Sequence, residues 1–282
     1  MTDPTPGILY IVATPIGNLA DISFRAVETL NQVNLIAAED TRHSKYLLTH
    51  YQIATPTISL HEHNEQQRSD VLLQKLQAGE SIALISDAGT PLINDPGYRL
   101  VTRVIEAGIQ VVPIPGCSAL IAALSAAGLA SNRFAFEGFL PPKVFARQHT
   151  LQQFIHETRT LIFYESPKRI AATLQDCQQI FGPDRQATLA RELTKIHETI
   201  KTAPLAVLTE WVTNDLNQQK GEIVLLIAGA PAAITADEQA MQQLLTLLLP
   251  EMSVKKAAAI TAQWLSVSKN AAYQLALKLQ QK

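Results

Sequence analysis

The chain has 282 residues, 47% of them hydrophobic and 17% charged, with a formal net charge of −2. That composition is globular and excludes a disordered or fibrous chain, and the length suits about two ordinary domains. The near-neutral charge excludes a global pull toward a polyanion, so contact with nucleic acid needs local clusters of Lys and Arg. The only two cysteines, Cys117 and Cys177, lie far apart without metal-ligand spacing, which predicts buried thiols in a reducing compartment. The opening MTDPTPG lacks a signal-peptide pattern, and no run approaches the ~20 apolar residues of a membrane span, so a soluble cytoplasmic protein with no membrane contact is expected.

In chain order, Ile8–Asn18 reads as a buried strand that ends in a Pro-Ile-Gly turn. Asp21–Leu30 has helical spacing, and Leu35–Ala38 is a short strand leading into Glu39-Asp40-Thr41-Arg42. Ser69–Gln77 predicts a helix closed by Gly79, Ser81–Ser86 a strand, Tyr98–Ala107 a helix stopped by Gly108, and Ile109–Ile114 a strand. This alternation with short links predicts an α/β fold, a mainly parallel sheet covered on both faces. A second cycle follows a boundary placed near residue 120. It runs through a small-residue helix (Ser118–Ala127), a strand (Arg133–Phe139) and a polar helical stretch from Pro141-Pro142 to about Glu157. A strand (Thr160–Tyr164), a helix (Ile170–Phe181) and strands at Gln186–Arg191 and Glu222–Ala228 complete a mixed sheet.

After a linker at Pro231-Ala232-Ala233, three amphipathic helices are predicted. They span Asp237–Leu249 with Met241, Leu244, Leu245 and Leu248, Ser253–Leu265 with Ala257, Ile260 and Trp264, and Ser268–Gln280 with Ala272, Leu275 and Leu279. Ser253 and Ser268 stand at N-cap positions. The division is thus 1–120, 121–232 and 233–282, the last a small helical bundle similar to a helix-turn-helix. Its Lys255, Lys256, Lys269, Lys278 and Lys282 either meet phosphates or form an ordinary solvated face.

Chemistry concentrates at strand ends. SIALISDAGTPLINDPG (81–97) carries a strand into a loop with Asp87, Gly89, Thr90 and Pro91, then a second turn at Asp95-Pro96-Gly97. Ligands of α/β sheets settle beyond such strand ends, although Gly and Pro also make tight turns anywhere. The turns Thr14-Pro15-Ile16-Gly17-Asn18, Pro115-Gly116-Cys117-Ser118-Ala119 and Tyr164-Glu165-Ser166-Pro167 have the same character. No G-x-G-x-x-G follows the first strand and no P-loop exists, so hydride transfer and nucleotide hydrolysis lose support. In His61-Glu62-His63-Asn64-Glu65 no third ligand is marked by spacing, and a polar loop near a substrate is expected rather than a metal site. Lys168-Arg169, Arg191 with Lys195, and Lys143 with Arg147 are basic spots that could supply local phosphate contacts.

The blocks LYIVATPIGNL, AEDTRHSKYLL, HEHNE, LISDAGTPLINDPG, PIPGCSA, FEGFLPPK, YESPKR and RELTKIHE, in this order from about Leu9 to Gly229, carry a resemblance. The chain resembles the S-adenosylmethionine (SAM)-dependent tetrapyrrole methylase superfamily, in particular the branch that methylates the 2′-hydroxyl of a cytidine in the decoding centre of 16S ribosomal RNA. Gly89-Thr90-Pro91 replaces the Gly-Asp-Pro element of the corrinoid methylases, which counts against a tetrapyrrole substrate. The resemblance implies two α/β domains with a cleft between them that holds SAM, a small C-terminal helical bundle, a homodimer, and a 16S rRNA substrate within the small ribosomal subunit. It places the methionine end of SAM against Asp87, Ala88, Gly89, Thr90, Ile93, Ser118 and Ala119, and the adenosine end against Tyr164, Leu193, Ala228 and Gly229, with Pro15 closing the active-site side. On this reading Glu39, Asp40 and Glu165 frame the reacting ribose. Arg42, His63, Glu65, Lys168, Arg169, Arg191 and Lys195 surround the RNA, and no metal is required. Two alternatives remain open: a methylase of a tetrapyrrole, and an RNA-binding assembly factor without catalysis.

Overall fold

A computed structural model describes residues 5–231 and 236–280, which form two compact units dividing between Gly229 and Ala230. In the first unit, β1 (Leu9–Val12), β2 (Leu35–Ala38), β3 (Thr57–Ser59), β4 (Ile82–Ile85) and β5 (Val111–Ile114) make an all-parallel sheet ordered β3-β2-β4-β1-β5. Parallel neighbours need crossovers, which α1 (Phe24–Gln32), α2 (Thr41–His50), α3 (Glu65–Gln77) and α4 (Tyr98–Glu106) provide on both faces. β4 shows why its sequence is an unbroken apolar run. Ala83 and Ile85 pack with Leu30 of α1 and Leu48 of α2, while Ile82 and Leu84 pack with Leu72 of α3 and Leu100 of α4.

Caps move several boundaries from their expected places. A short 3-10 turn occupies Leu19–Asp21, and α1 starts only after Ser23, whose hydroxyl accepts from the Ala26 N–H at 3.1 Å. α2 has no counterpart among the expected helices. Its polar sequence is started by Asp40, which accepts from the Arg42 N–H at 2.8 Å, and it buries little beyond Ser44, Leu47 and Leu48.

The second sheet contains β6 (Phe134–Phe139), β7 (Thr160–Glu165), β8 (Gln186–Arg191), β9 (Thr199–Pro204) and β10 (Ile223–Ile227), ordered β6-β7-β10-β8-β9. Only β6 and β7 are parallel; the other pairings are antiparallel. α5 (Ala119–Ala126) packs on one face through Leu120, Ala123 and Leu124. α6 (Val144–Gln153), α7 (Ile170–Phe181) and α8 (Leu205–Asn214) cover the other around Phe163, Leu189 and Leu225. Neither β9 nor α8 was expected; β9 is a half-exposed edge strand whose Thr and Lys residues dilute its apolar signal. The boundary expected near residue 120 falls at the start of α5, and both sheets belong to one compact unit.

In the other unit, α9 (Ala236–Leu248), α10 (Val254–Leu265) and α11 (Lys269–Gln280) pack around Met241, Leu245, Ala257, Ala258, Ala272 and Ala276. Trp264, expected on the packed face, is 79% exposed. Ser253 occupies the N-cap of α10 without a side-chain cap bond, whereas the Ser268 hydroxyl accepts from Ala271 N–H at 3.5 Å. The expected linker residues Ala232-Ala233 and Lys282 lie outside the described residues. Of the two thiols, Cys177 is buried and Cys117 only half-buried. Among the described residues no helix is long and apolar enough to cross a membrane.

Candidate active site

Because β1 to β5 are parallel, the loops that follow them emerge along one edge of the sheet. Specific bonds draw three of these loops together. Thr14, after β1, exchanges backbone hydrogen bonds with Gly89, after β4, at 2.8 and 3.0 Å. The Thr90 hydroxyl donates to the Cys117 carbonyl, after β5, at 2.9 Å. Gly89 adopts φ +82°, a conformation that costs an L side chain about 1–2 kcal/mol.

These loops and the second sheet enclose a cavity of about 420 Å³, inside the roughly 300–1,000 Å³ range of small-molecule sites. Ile16, Ala88, Gly89, Thr90, Ile93 and Asp95 line it from the first sheet, and Ser118 and Ala119 from the start of α5. Phe139, Tyr164, Leu193, Gly221, Glu222 and Val224 line it from the second. Tyr164 forms edge contacts with Phe136 and Phe139, ring centroids 4.8 and 5.8 Å apart, so the second-sheet wall is aromatic. β6 bulges at Gly138, φ +66°, where an added Cβ would come within 2.9 Å of Asn94 Oδ1. This contact joins the aromatic wall to the 90–97 loop.

Left-handed backbone concentrates here. Of the six non-glycine residues with positive φ among the described residues, Leu92 and Asn94 precede Asp95, and Glu192 and Thr194 flank Leu193. Such strain of about 1–3 kcal/mol per residue persists where surrounding structure enforces it, often at functional sites. The enforcement at 192–194 is visible: the Glu192 N–H donates to the Glu222 carbonyl, the Glu222 N–H donates back to Glu192 Oε1, and Lys195 Nζ lies 2.9 Å from both Glu192 Oε1 and Glu222 Oε2.

Of the residues expected to hold the donor, Ala88, Gly89, Thr90, Ile93, Ser118, Ala119, Tyr164 and Leu193 line the cavity. Asp87 stands behind its loop and bonds the Asp40 N–H at 3.0 Å, and Pro15 sits next to the lining Ile16. Ala228 and Gly229 are displaced from this expectation. β10 runs antiparallel to β7, so the beginning of β10 borders the cavity and Ala228-Gly229 emerge at the opposite edge, against Thr158 and Gln186.

The expected catalytic and substrate residues separate into held and exposed groups. The Glu165 carboxylate is fully buried, with Arg169 at 2.6 Å, the Thr173 hydroxyl at 2.7 Å and the Ser166 N–H at 2.6 Å. It anchors the start of α7 and has no lone pair left facing a substrate, which corrects its expected role as a reacting group. Glu65 is equally committed, capping α4 through the Gly97 and Arg99 N–H groups at 3.1 and 2.8 Å. Arg191 is buried among Gln218, Thr199 and the carbonyls of His197 and Lys220. Arg147 is buried against Asp176 at 2.6 Å. None of these four presents itself to RNA. Arg42, His63 and Lys168 are exposed, and Lys195 is half-buried between two glutamates.

Negative charge collects beside the cavity. Glu39 Oε2 accepts from the Asp87 N–H at 3.3 Å. Burial raises the Glu39 pKa against that hydrogen bond, and the charge of Asp87 adds to the rise. Burial and then the charge of Glu39 push Asp95 up to about 6. Asp40 is the opposite case: the Arg42 guanidinium, at 2.9 Å, holds it well below the usual carboxylate range. Asp95, Asn94, Phe139, Gly221, Glu222 and Val224 are site residues that sequence reasoning left out. For Asp95 and Asn94 the signal was present, because they close the LISDAGTPLINDPG block.

Comparison with known proteins places these features in a family. The model of tetrapyrrole (corrin/porphyrin) methylases matches residues 8–209, and that of the RsmI C-terminal HTH domain matches residues 235–280. The chain is 55% identical over 279 residues to ribosomal RNA small subunit methyltransferase I of Haemophilus influenzae, covering 98% of each chain. It is 54% identical to the protein of the same name from Pseudomonas aeruginosa, over 98% of this chain and 99% of that one. Among solved structures, uroporphyrin-III C-methyltransferase from Thermus thermophilus complexed with S-adenosylhomocysteine shares the fold at a TM-score of 0.55 and 16% identity, covering 79% of this chain and 97% of that one.

Proposed function

Because the chain belongs to the tetrapyrrole methylases and, among them, to the ribosomal RNA small subunit methyltransferase I family, we propose that it moves a methyl group from SAM to the 2′-hydroxyl of a cytidine in the decoding region of 16S rRNA. The observation that carries this reading is one cavity lined by Gly89, Thr90 and Asp95 from one sheet and by Tyr164, Leu193 and Gly221 from the other. The solved relative with S-adenosylhomocysteine supports the choice of donor.

The residues present suit SAM. Ala88 and Gly89 let a ligand approach the main chain, as small residues do. Ser118 makes no side-chain cap at the start of α5, so backbone N–H groups there would take the donor's carboxylate. Phe139, Tyr164 and Leu193 offer apolar surface to a nucleoside. Glu39, Asp87 and Asp95 would give a negative field suited to a cationic sulfur. SAM supplies a methyl group already activated for transfer. The protein therefore has to align the ribose oxygen and take its proton. Glu39 and Asp40, at the end of β2, would border the ribose, with the exposed Arg42, His63 and Lys168 toward RNA. The lysines of the C-terminal helices would add phosphate contacts, and a cytoplasmic homodimer completes the reading.

The deciding experiment incubates the protein with isotopically labelled SAM and unmodified small subunits, then maps 2′-O-methyl groups on 16S rRNA by mass spectrometry. A single labelled cytidine in the decoding region is expected. Label on a corrinoid and none on rRNA, or RNA binding without SAM binding, overturns the proposal. Sedimentation of the purified chain checks the dimer.

A further inference from the structure

β6 and β7 run parallel, so the loops that follow them leave the second sheet at one edge. That edge borders the cavity through Phe139, Ser166 and Pro167. The two loops are bonded to each other: Arg169 Nη1 donates to the Leu140 carbonyl at 3.3 Å, and the Leu140 side chain is buried. Beyond this anchor Pro141 and Pro142 stiffen the chain and α6 begins, with Phe145 85% exposed and Val144 55% exposed. Packing does not explain that aromatic ring. α6 turns Arg147 and Leu151 inward, and Phe145, two positions before Arg147, stands about 200° around the helix from it. The charge around the ring has one sign. Between Glu137 and Glu157 the sequence holds no Asp or Glu. Lys143, just before α6, and Lys168, just before α7, are exposed, and neither forms a salt bridge among the described residues.

We propose that Phe145, Lys143 and Lys168 form a platform for the single-stranded RNA that flanks the reacting nucleotide. A base stacks on the Phe145 ring, and the two ammonium groups meet neighbouring phosphates. This rests on the rRNA substrate proposed above. Every base has a π-face, so an exposed aromatic side chain among cations suits a single strand whatever its sequence. A protein surface of mixed charge would match the ring but not its wholly positive flank, whereas a polyanion matches both. Continuity with the cavity through Phe139 gives the platform its use. Transfer needs the ribose oxygen held in line with the methyl group, and a base and phosphates gripped outside the cavity fix the strand without taking the donor's space. Phe145 is therefore a positioning residue that touches no reacting atom.

The test saturates the full chain with S-adenosylhomocysteine and titrates it with protein-free 16S rRNA, then with unmodified small subunits, at several salt concentrations. Phe145→Ala should weaken RNA binding about tenfold, as loss of one stacked base does, and leave the salt slope unchanged. Phe145→Leu, apolar but without a π-face, should lose nearly as much, and Phe145→Trp should bind at least as tightly as the wild type. Lys143→Ala and Lys168→Ala should each flatten the plot of log affinity against log salt by about 0.7–0.9. In single-turnover transfer from labelled SAM, the RNA concentration giving half the maximal rate should rise in Phe145→Ala by the same factor as its RNA dissociation constant. Every variant should match the wild type in S-adenosylhomocysteine affinity and melting temperature, because all three residues are exposed and none lines the cavity. Phe145→Ala or Phe145→Leu binding RNA as the wild type does overturns the platform. A loss confined to whole subunits, with protein-free RNA bound normally, also overturns it and assigns the surface to a ribosomal protein. A wild type that binds rRNA through Phe145 yet transfers no methyl group to it removes the proposed function and leaves the platform standing.

Discussion

Glu165 and Asp95 both border the cavity, yet their surroundings differ: the first is locked by Arg169 and Thr173, and the second has no cationic partner among the described residues. Glu165 has given its lone pairs to Arg169, Thr173 and Ser166, so removing its carboxylate leaves a largely buried guanidinium uncompensated. Glu165→Ala should cost about 3 kcal/mol of unfolding free energy, as loss of one partner of a buried pair does, read by urea denaturation. The pH midpoint of methyl transfer by the folded fraction should stay where the wild type has it; a moved midpoint would return Glu165 to the chemistry. Gly89 makes a comparable point for the backbone. An alanine there is strained at φ +82° although space exists, its nearest neighbour being Ile16 Cγ2 at 3.5 Å. Relaxing that strain pulls the loop from Thr14, so Gly89→Ala should weaken SAM binding about tenfold, the equivalent of 1.4 kcal/mol, measured by calorimetry. Unchanged affinity would mean that the loop does not shape the donor site.

At the scale of elements, legibility tracks how strongly a segment's own residues determine its environment. β4, β7, α7 and β8 were readable because burial on one or both faces leaves an apolar pattern in the sequence, as in IALI and TLIFYE. α2 and β9 were not, since each buries little and is held by Asp40 in one case and by a neighbouring strand in the other. Strand direction is a tertiary property. Nothing in EIVLLIAG tells whether its first or last residue meets a ligand, which is why Ala228-Gly229 were expected at the cavity while Gly221 and Val224 occupy it. Buried ion pairs escaped for a related reason. Arg147 reads as a surface cation until α6 packs on α7 and sets it 2.6 Å from Asp176, with Gln148 satisfying the second carboxylate oxygen at 2.7 Å. Arg147→Met is expected to destabilise the fold by about 3–5 kcal/mol, because Asp176 remains buried without its cation. SAM affinity of the folded protein should be unchanged, since neither residue lines the cavity. Denaturation curves and calorimetry check the two halves of that statement.

For the whole molecule, a net charge of −2 has to be reconciled with a polyanionic substrate. The first unit contributes carboxylates beside the cavity and commits Arg147, Arg169 and Arg191 to internal partners, while Arg25, Arg42, Lys45, Arg99, Arg133, Lys143, Lys168 and Lys220 stay exposed. The second unit adds lysines of its own: Lys255 and Lys256 are exposed at the start of α10, Lys269 at the start of α11 and Lys278 in its last turn. Among the described residues none of these four forms a salt bridge, so their charge is available to phosphates rather than spent on the fold. Each phosphate neutralised by a lysine releases condensed counterions, so RNA affinity should fall with salt in proportion to the lysines engaged. Replacing Lys255 and Lys256 together by alanine should flatten the plot of log affinity against log salt by about 0.7–0.9 for each lysine lost. S-adenosylhomocysteine binding should be untouched, because every cavity residue lies between Ile16 and Val224. Titration of small-subunit RNA at several salt concentrations measures the slope. A double variant with the wild-type slope would show that these lysines form only a solvated face, and would shift the search for the RNA-holding charge back to the first unit.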